Sequence, residues 1–167
     1  SADIRKNIVS LAKMIGYTPT SCRASSAELS VKINNVTNTT TSITMDKGTV
    51  FTSSIDGTSY QFVTNQAYTI QPDAGVFQFS NVNVFEGTLV TFKYTVDTTD
   101  PDQAFNLQNN NIDTSTLKVT IQNSSSDSTQ TVYNLATGYS DLTDTSNVYF
   151  LQEVEDGKFE VYFGDGI

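Results

Sequence analysis

The sequence predicts a mainly β protein, antiparallel sheets in sandwich-like lobes, with one N-terminal α-helix. Three observations carry this. After residue 27, apolar and polar residues alternate at a period of two through most of the chain. Asp-Gly pairs, the strongest short hairpin signal, stand between such stretches at Asp56-Gly57 and Asp156-Gly157. Only the first residues show a helical period.

That helix is predicted over residues 3–15. Ile4, Ile8, Leu11 and Ile15 fall on one stripe, with Ala12 and Met14 at its edges. Asp3 or Ser1 can cap its start, Gly16 suits the position after its end, and Pro19 forbids continuation. Lys13 complements the helix dipole; Arg5 and Lys6 in the first turn oppose it. A helix this short is marginal alone in water, so the stripe needs cover, from the β-lobes or from a partner subunit. Those four residues are the candidate interface.

Leu29, Val31 and Ile33 alternate with Ser30, Lys32 and Asn34 as a half-buried strand. A polar connection over 35–42 leads to strands at 42–45, 49–53 and 59–63, with turns at Asp46-Lys47-Gly48 and Asp56-Gly57. Residues 76–85 and 88–96 read as a hairpin across Glu86-Gly87. The acidic stretch 96–102 with Pro101 is the best internal boundary. It divides the chain into a helix and exit segment (1–23), a first β-lobe (24–96) and a second β-lobe (97–167). In the second lobe, residues 104–107, 117–122 and 130–135 read as strands, with 123–129 a hairpin tip. Residues 136–147 read as a loop anchored by Tyr139 and Leu142.

The last twenty residues read as a β-hairpin with a two-residue type I′ turn at Asp156-Gly157. Its register sets Val154 opposite Phe159, Glu153 opposite Glu160 and Phe150 opposite Phe163. Val148, Phe150, Val154, Phe159, Val161 and Phe163 then share the buried face with Gln152, and Glu153, Glu155, Lys158 and Glu160 share the other face with Tyr149, Leu151 and Tyr162 at its base. Gly164-Asp165-Gly166 marks a further tight turn, and Ile167 reads as the start of another strand. The chain is therefore expected to be a fragment of a longer protein.

Composition narrows the function. The net charge is −9 and no basic run exists, which argues against nucleic acid and an anionic membrane as partners. Ten Phe and eight Tyr recur along the chain, unlike a disordered composition. The absence of histidine removes Ser-His-Asp and Cys-His nucleophiles and argues against zinc. The single cysteine, Cys22, has no histidine to activate it and reads as a small residue after the helix exit rather than a reactive thiol. Glu153, Glu155 and Glu160 could act as a glycosidase pair only around a cleft, which nothing in the sequence signals. Asp97, Asp100 and Asp102 could hold Ca²⁺, but their spacing matches no EF-hand loop, and a solvated acidic loop is the plainer reading. No enzyme activity, cofactor or metal is expected.

Three blocks carry a resemblance. The terminal hairpin, YFLQEVEDGKFEVYFGDGI, has a Tyr-Phe-Leu-x-Glu…Asp-Gly…Phe-Gly-Asp-Gly pattern. The N-terminal block runs IRKNIVSLAKMIGYTPTS, a helix with a Gly-Tyr-x-Pro exit. The central block is ITMDKGTVF followed by YQFVT. In this order they resemble the baseplate wedge proteins of contractile-tailed bacteriophages, the baseplate J-like family. The resemblance implies a structural virion protein of the tail baseplate, present in the host cytoplasm during assembly. It implies a part that joins wedge subunits into the inner baseplate ring. The implied partners are other wedge proteins and further copies of the chain, in part through helices. The rival reading is a carbohydrate-binding or adhesin-type β module, with strand aromatics stacking on sugars.

Overall fold

The computed structural model describes residues 20–34, 36, 39–100, 103–136, 143 and 146–164, with residue 156 described by its backbone alone. The expected helix with Ile4, Ile8, Leu11 and Ile15 lies outside the described residues, as do Asp102, Tyr139, Leu142, Asp165 and Gly166. The described residues are mainly β. They divide into two compact units, Ala24–Thr91 and the remainder, in which Phe92 onward is joined by the segment ending at Arg23.

The first unit holds β1 (Ser26–Ile33), β2 (Ile43–Met45), β3 (Val50–Ile55), β4 (Thr58–Thr64), β5 (Tyr68–Ile70) and β6 (Phe77–Glu86). Four of them form an antiparallel sheet in the order β1-β6-β4-β3, and β2 pairs with β5. Phe79, Val82 and Val84 on the central strand β6 are fully buried. Leu29, Val31 and Ile33 of β1, Phe51 and Phe62 of the β3–β4 pair, and Ile43, Met45, Tyr68 and Ile70 pack around them. The Tyr68 hydroxyl accepts from the Asn83 backbone at 3.0 Å, which satisfies its polar end.

Strand β6 contains a bulge. Leu29 faces Val82 and Val31 faces Phe79, so two steps on β1 match three on β6. Phe77 and Phe79 are buried before the bulge, Val82 and Val84 after it, and Ser80 and Asn81 are exposed between them. The bulge absorbs one extra residue and keeps all four apolar side chains on one face. Asn81 lies in the left-handed region (φ 56°), which asparagine tolerates better than most residues.

The expected hairpin across Glu86-Gly87 does not form. β6 is flanked on both sides, by β1 and by β4, so no edge remains for residues 88–96. Gly87 donates instead to the Gln61 carbonyl at 2.9 Å. Phe92 packs into the core of the second unit, so the change of unit falls before the expected 96–102 boundary.

The second unit holds β7 (Ala104–Leu107), β8 (Val119–Ser124), β9 (Asp127–Leu135), β10 (Val148–Glu153) and β11 (Phe159–Tyr162) in one sheet, order β7-β11-β10-β9-β8. The sheet is mixed, which alternation alone does not reveal. β9 and β10 run parallel, with Asn134 beside Val148 and Leu135 beside Tyr149. Residues 136–147 therefore serve as a crossover between parallel neighbours. Leu107, Tyr149, Phe159 and Val161 form the buried centre.

The β10–β11 register differs by one residue from the expected one. Glu153 faces Phe159, Gln152 faces Glu160, Leu151 faces Val161 and Phe150 faces Tyr162. A two-residue type I′ turn is replaced by a 3-10 turn at Glu155–Gly157, closed by a Val154 N–H to Lys158 carbonyl bond of 2.8 Å. The β10 sequence is apolar at consecutive positions, Val-Tyr-Phe-Leu, so the turn decides which residues face inward. Tyr149 and Glu153 are buried, while Phe150 is only half-buried and stacks on Tyr162 at 5.2 Å. The predicted row of Glu153, Glu155 and Glu160 on one wet face is not formed. The predicted Glu153–Glu160 opposition is absent too; Gln152 Nε2 donates to Glu160 instead.

The same dipeptide makes a different turn between β3 and β4. Asp56 (φ 50°) and Gly57 (φ 79°) are both left-handed, closed by the Ile55–Thr58 pair. Gly57 and Gly157 (φ 71°) have open space where a Cβ would stand. Gly57→Val and Gly157→Val should each cost about 1–2 kcal/mol from backbone strain alone. Urea titration checks this against Thr58→Val, expected within about 0.5 kcal/mol of wild type.

Candidate functional site

Three aspartates of the second unit hold turns with their carboxylates. Among the described residues of the second unit, three segments share the pattern Asp-x-Ser/Thr: Asp97-Thr98-Thr99, Asp113-Thr114-Ser115 and Asp127-Ser128-Thr129. In each, the carboxylate accepts from the backbone N–H two residues on, at 2.9 Å. Asp97 also accepts the Thr99 hydroxyl and Asp113 the Ser115 hydroxyl, both at 2.6 Å. These are side-chain mimics of a backbone turn. Asp113 caps a 3-10 turn at Thr114–Thr116 in this way.

The Thr99 hydroxyl, and then its backbone N–H, hold the Asp97 carboxyl below its ordinary value of 3.8. The Thr129 backbone and hydroxyl do the same for Asp127. The charged form is the one that is bonded, so each folded-state value is depressed. The turn's contribution is present above 3.8 and lost as pH falls through the lowered folded value. By NMR, the Asp97 carboxyl should titrate below 3.8 and move back toward it in Thr99→Val.

Among the described residues no group of three or more His, Cys, Asp or Glu is placed to hold a metal ion. Glu153 lies on the core face, Glu155 is exposed in the turn, and Glu160 lies on the opposite face of the sheet. The structure therefore does not gather the three carboxylates that the hairpin pattern suggested. Cys22 is exposed, with its Sγ 3.7 Å from the Ile112 carbonyl. Beside it, Ser21 Oγ accepts from the Thr114 N–H at 2.9 Å. These contacts fasten the described end of the N-terminal segment to the second unit.

The aromatics of the second unit pack on one another. Tyr94 meets Phe105 at 5.4 Å, and Phe163 meets Phe105 at 5.8 Å and Tyr133 at 5.5 Å, the last two edge-to-face. The Tyr94 hydroxyl donates to the Asn106 carbonyl on β7. Of the turn residues singled out from sequence, Asp56, Gly57, Gly157 and Gly164 lie in described turns or strand exits.

What the geometry offers is two compact β units with structural turns. No family model matches the chain. It is similar to baseplate wedge protein gp6 of Enterobacteria phage T4, 26% identical over 169 residues. The chain is related to phage baseplate wedge proteins. The similarity covers 99% of this chain but 24% of the T4 protein, so the chain spans about a quarter of that protein's length. Full coverage of the chain means that both β units lie within the relationship.

Proposed function

We propose that this chain is a structural part of a phage tail baseplate, where it joins wedge subunits into the inner ring by protein–protein contact. The observation that carries the reading is the similarity to the T4 wedge protein over 99% of the chain. The reading makes the protein a non-enzymatic virion component, held in the host cytoplasm until assembly. Its partners are other wedge proteins and further copies of itself. The apolar stripe of Ile4, Ile8, Leu11 and Ile15 serves as one contact surface. Turn-bound carboxylates and packed aromatics support the reading, because a wedge part needs stiff lobes rather than a reactive cleft.

The test is co-elution and negative-stain imaging of the full-length protein mixed with the other wedge proteins of its phage. Defined wedge particles containing the protein are expected. A protein that stays apart from every wedge partner, or that binds glycans on an array, would overturn the reading.

A further inference from the structure

The peptide nitrogen that follows an aspartate can attack that aspartate's own carboxyl carbon and close a five-membered ring. Glycine in the second position leaves the attack unobstructed, because it carries no Cβ. Whether a given aspartate reacts then depends on what holds its carboxyl group and the next N–H. Asp97, Asp113 and Asp127 are held. Each carboxylate accepts from the N–H two residues on, at 2.9 Å, and each is followed by a bulkier residue, Thr98, Thr114 or Ser128. Asp100 precedes Pro101, which has no N–H to lose.

Asp56 is not held. It stands with Gly57 at the tip of the β3–β4 hairpin, both exposed, beside Ile55 at 60% exposure. Among the described residues, neither the Asp56 carboxylate nor the Gly57 N–H has a hydrogen-bond partner. The two-residue turn accounts for the second of these: the ladder closes on the Ile55–Thr58 pair, and Gly57 lies outside it. No neighbouring atom lies within 4 Å of where a Gly57 Cβ would stand, so a closing ring meets no obstacle. Asp56 is also left-handed (φ 50°), a strained conformation for a residue with a side chain. Of the other Asp-Gly pairs, Asp156-Gly157 lies in a 3-10 turn and Asp165-Gly166 outside the described residues, so neither enters the comparison.

We propose that Asp56-Gly57 is a self-modification site, at which the turn rearranges to an isoaspartyl linkage. The Gly57 nitrogen attacks Cγ of the Asp56 carboxylic acid. A C–N bond forms, a carboxyl C–O bond breaks, and the hydroxyl leaves with the N–H proton as water. Water then opens the cyclic imide, which the exposed tip admits. Addition at the side-chain carbonyl returns aspartate. Addition at the main-chain carbonyl leaves the backbone running through Cγ and frees the former main-chain carbonyl as a carboxylate. One water leaves and one returns, and no oxidant or reductant takes part. The product carries an extra methylene in the backbone, so the two-residue turn no longer fits the Ile55–Thr58 pair. Phe51 and Phe62, paired further down the hairpin and packed in the core, keep the rest of β3 in place. The freed carboxylate is the group that S-adenosylmethionine-dependent isoaspartyl methyltransferases esterify, so the modified turn is a substrate for that class of repair enzyme. The inference does not depend on the baseplate reading.

Ageing of the whole chain at neutral pH and physiological temperature tests it. Samples are probed with an isoaspartyl methyltransferase and a labelled methyl donor, and electron-transfer fragmentation places the label along the chain. Label at Asp56 should rise with time and exceed that at each of Asp97, Asp113 and Asp127. Gly57→Val, whose branched side chain obstructs the ring, should lose it. Asp56→Glu, which would need a six-membered ring, should lose it too and serves if the valine variant misfolds. Asp56→Asn, which expels ammonia in place of water, should gain label at this position sooner than the wild type. Label at Asp56 no greater than at the three held aspartates would overturn the proposal. So would label undiminished in both Gly57→Val and Asp56→Glu, or an Asp56→Asn chain no faster than the wild type.

Discussion

Phe159→Ala should destabilise the second unit by about 3–5 kcal/mol, a large part of a typical domain's stability. Phe159 is 2% exposed and sits on β11 between Glu153 of β10 and Leu107 of β7. Removing the ring leaves a cavity in the middle of a five-stranded sheet, where strands on both sides resist collapse. At a urea slope of about 2 kcal/mol per molar, the midpoint should fall by roughly 2 M. Glu155→Ala, exposed in the neighbouring turn, should cost less than about 1 kcal/mol. A second comparison reads the register directly. Tyr149 is 4% exposed and Phe150 only half-buried, so Tyr149→Ala should cost more than Phe150→Ala. The opposite order would restore the register that a two-residue turn implies.

That comparison marks what the sequence can and cannot decide. Strand β1 is legible because Leu29, Val31 and Ile33 alternate with polar neighbours and one face is solvated. Asp56-Gly57 is legible because the flanking strands accept a two-residue turn. At Asp156-Gly157 the same dipeptide follows a run that is apolar at successive positions, so alternation fixes no face and one extra turn residue flips the hairpin. The parallel β9–β10 pairing is hidden because pattern says nothing of neighbours that a crossover brings together. The missing strand at 88–96 is hidden for a related reason: alternation was present, but β6 had both edges taken. The stretch around Asp97 is read only as a solvated acidic loop, although its Asp-x-Thr is a local turn signal that depends on no distant partner. The open edge of β3 was not readable, since edge and centre are properties of the sheet.

An alanine inserted after Val82 should unfold a substantial fraction of the first unit, whereas deletion of Asn81 should leave it folded. Both changes alter β6 by one residue, and the difference lies in phase. β6 already carries one extra residue at its bulge, with Phe77 and Phe79 inward on one side and Val82 and Val84 inward on the other. Deleting Asn81 gives Phe-Gln-Phe-Ser-Val-Asn-Val, a plain alternation with all four apolar residues on the same face. It also removes a left-handed residue, so the net change should stay within about 1 kcal/mol. Insertion after Val82 adds a second phase break with no bulge to absorb it. Val84, 1% exposed, leaves the core at a cost of about 1.5–3 kcal/mol. Asn83 turns inward without a partner for its amide, at about 1–3 kcal/mol more. The pairing of Val84, Phe85 and Glu86 with Thr64, Val63 and Phe62 slips at the same time, so the centre of the sheet loses both neighbours' register. The sum, roughly 3–6 kcal/mol, is comparable to the whole stability of a small domain. Circular dichroism and urea titration of the two variants check it, and equal losses in both would mean that the bulge, not the phase of the apolar face, holds β6 in place.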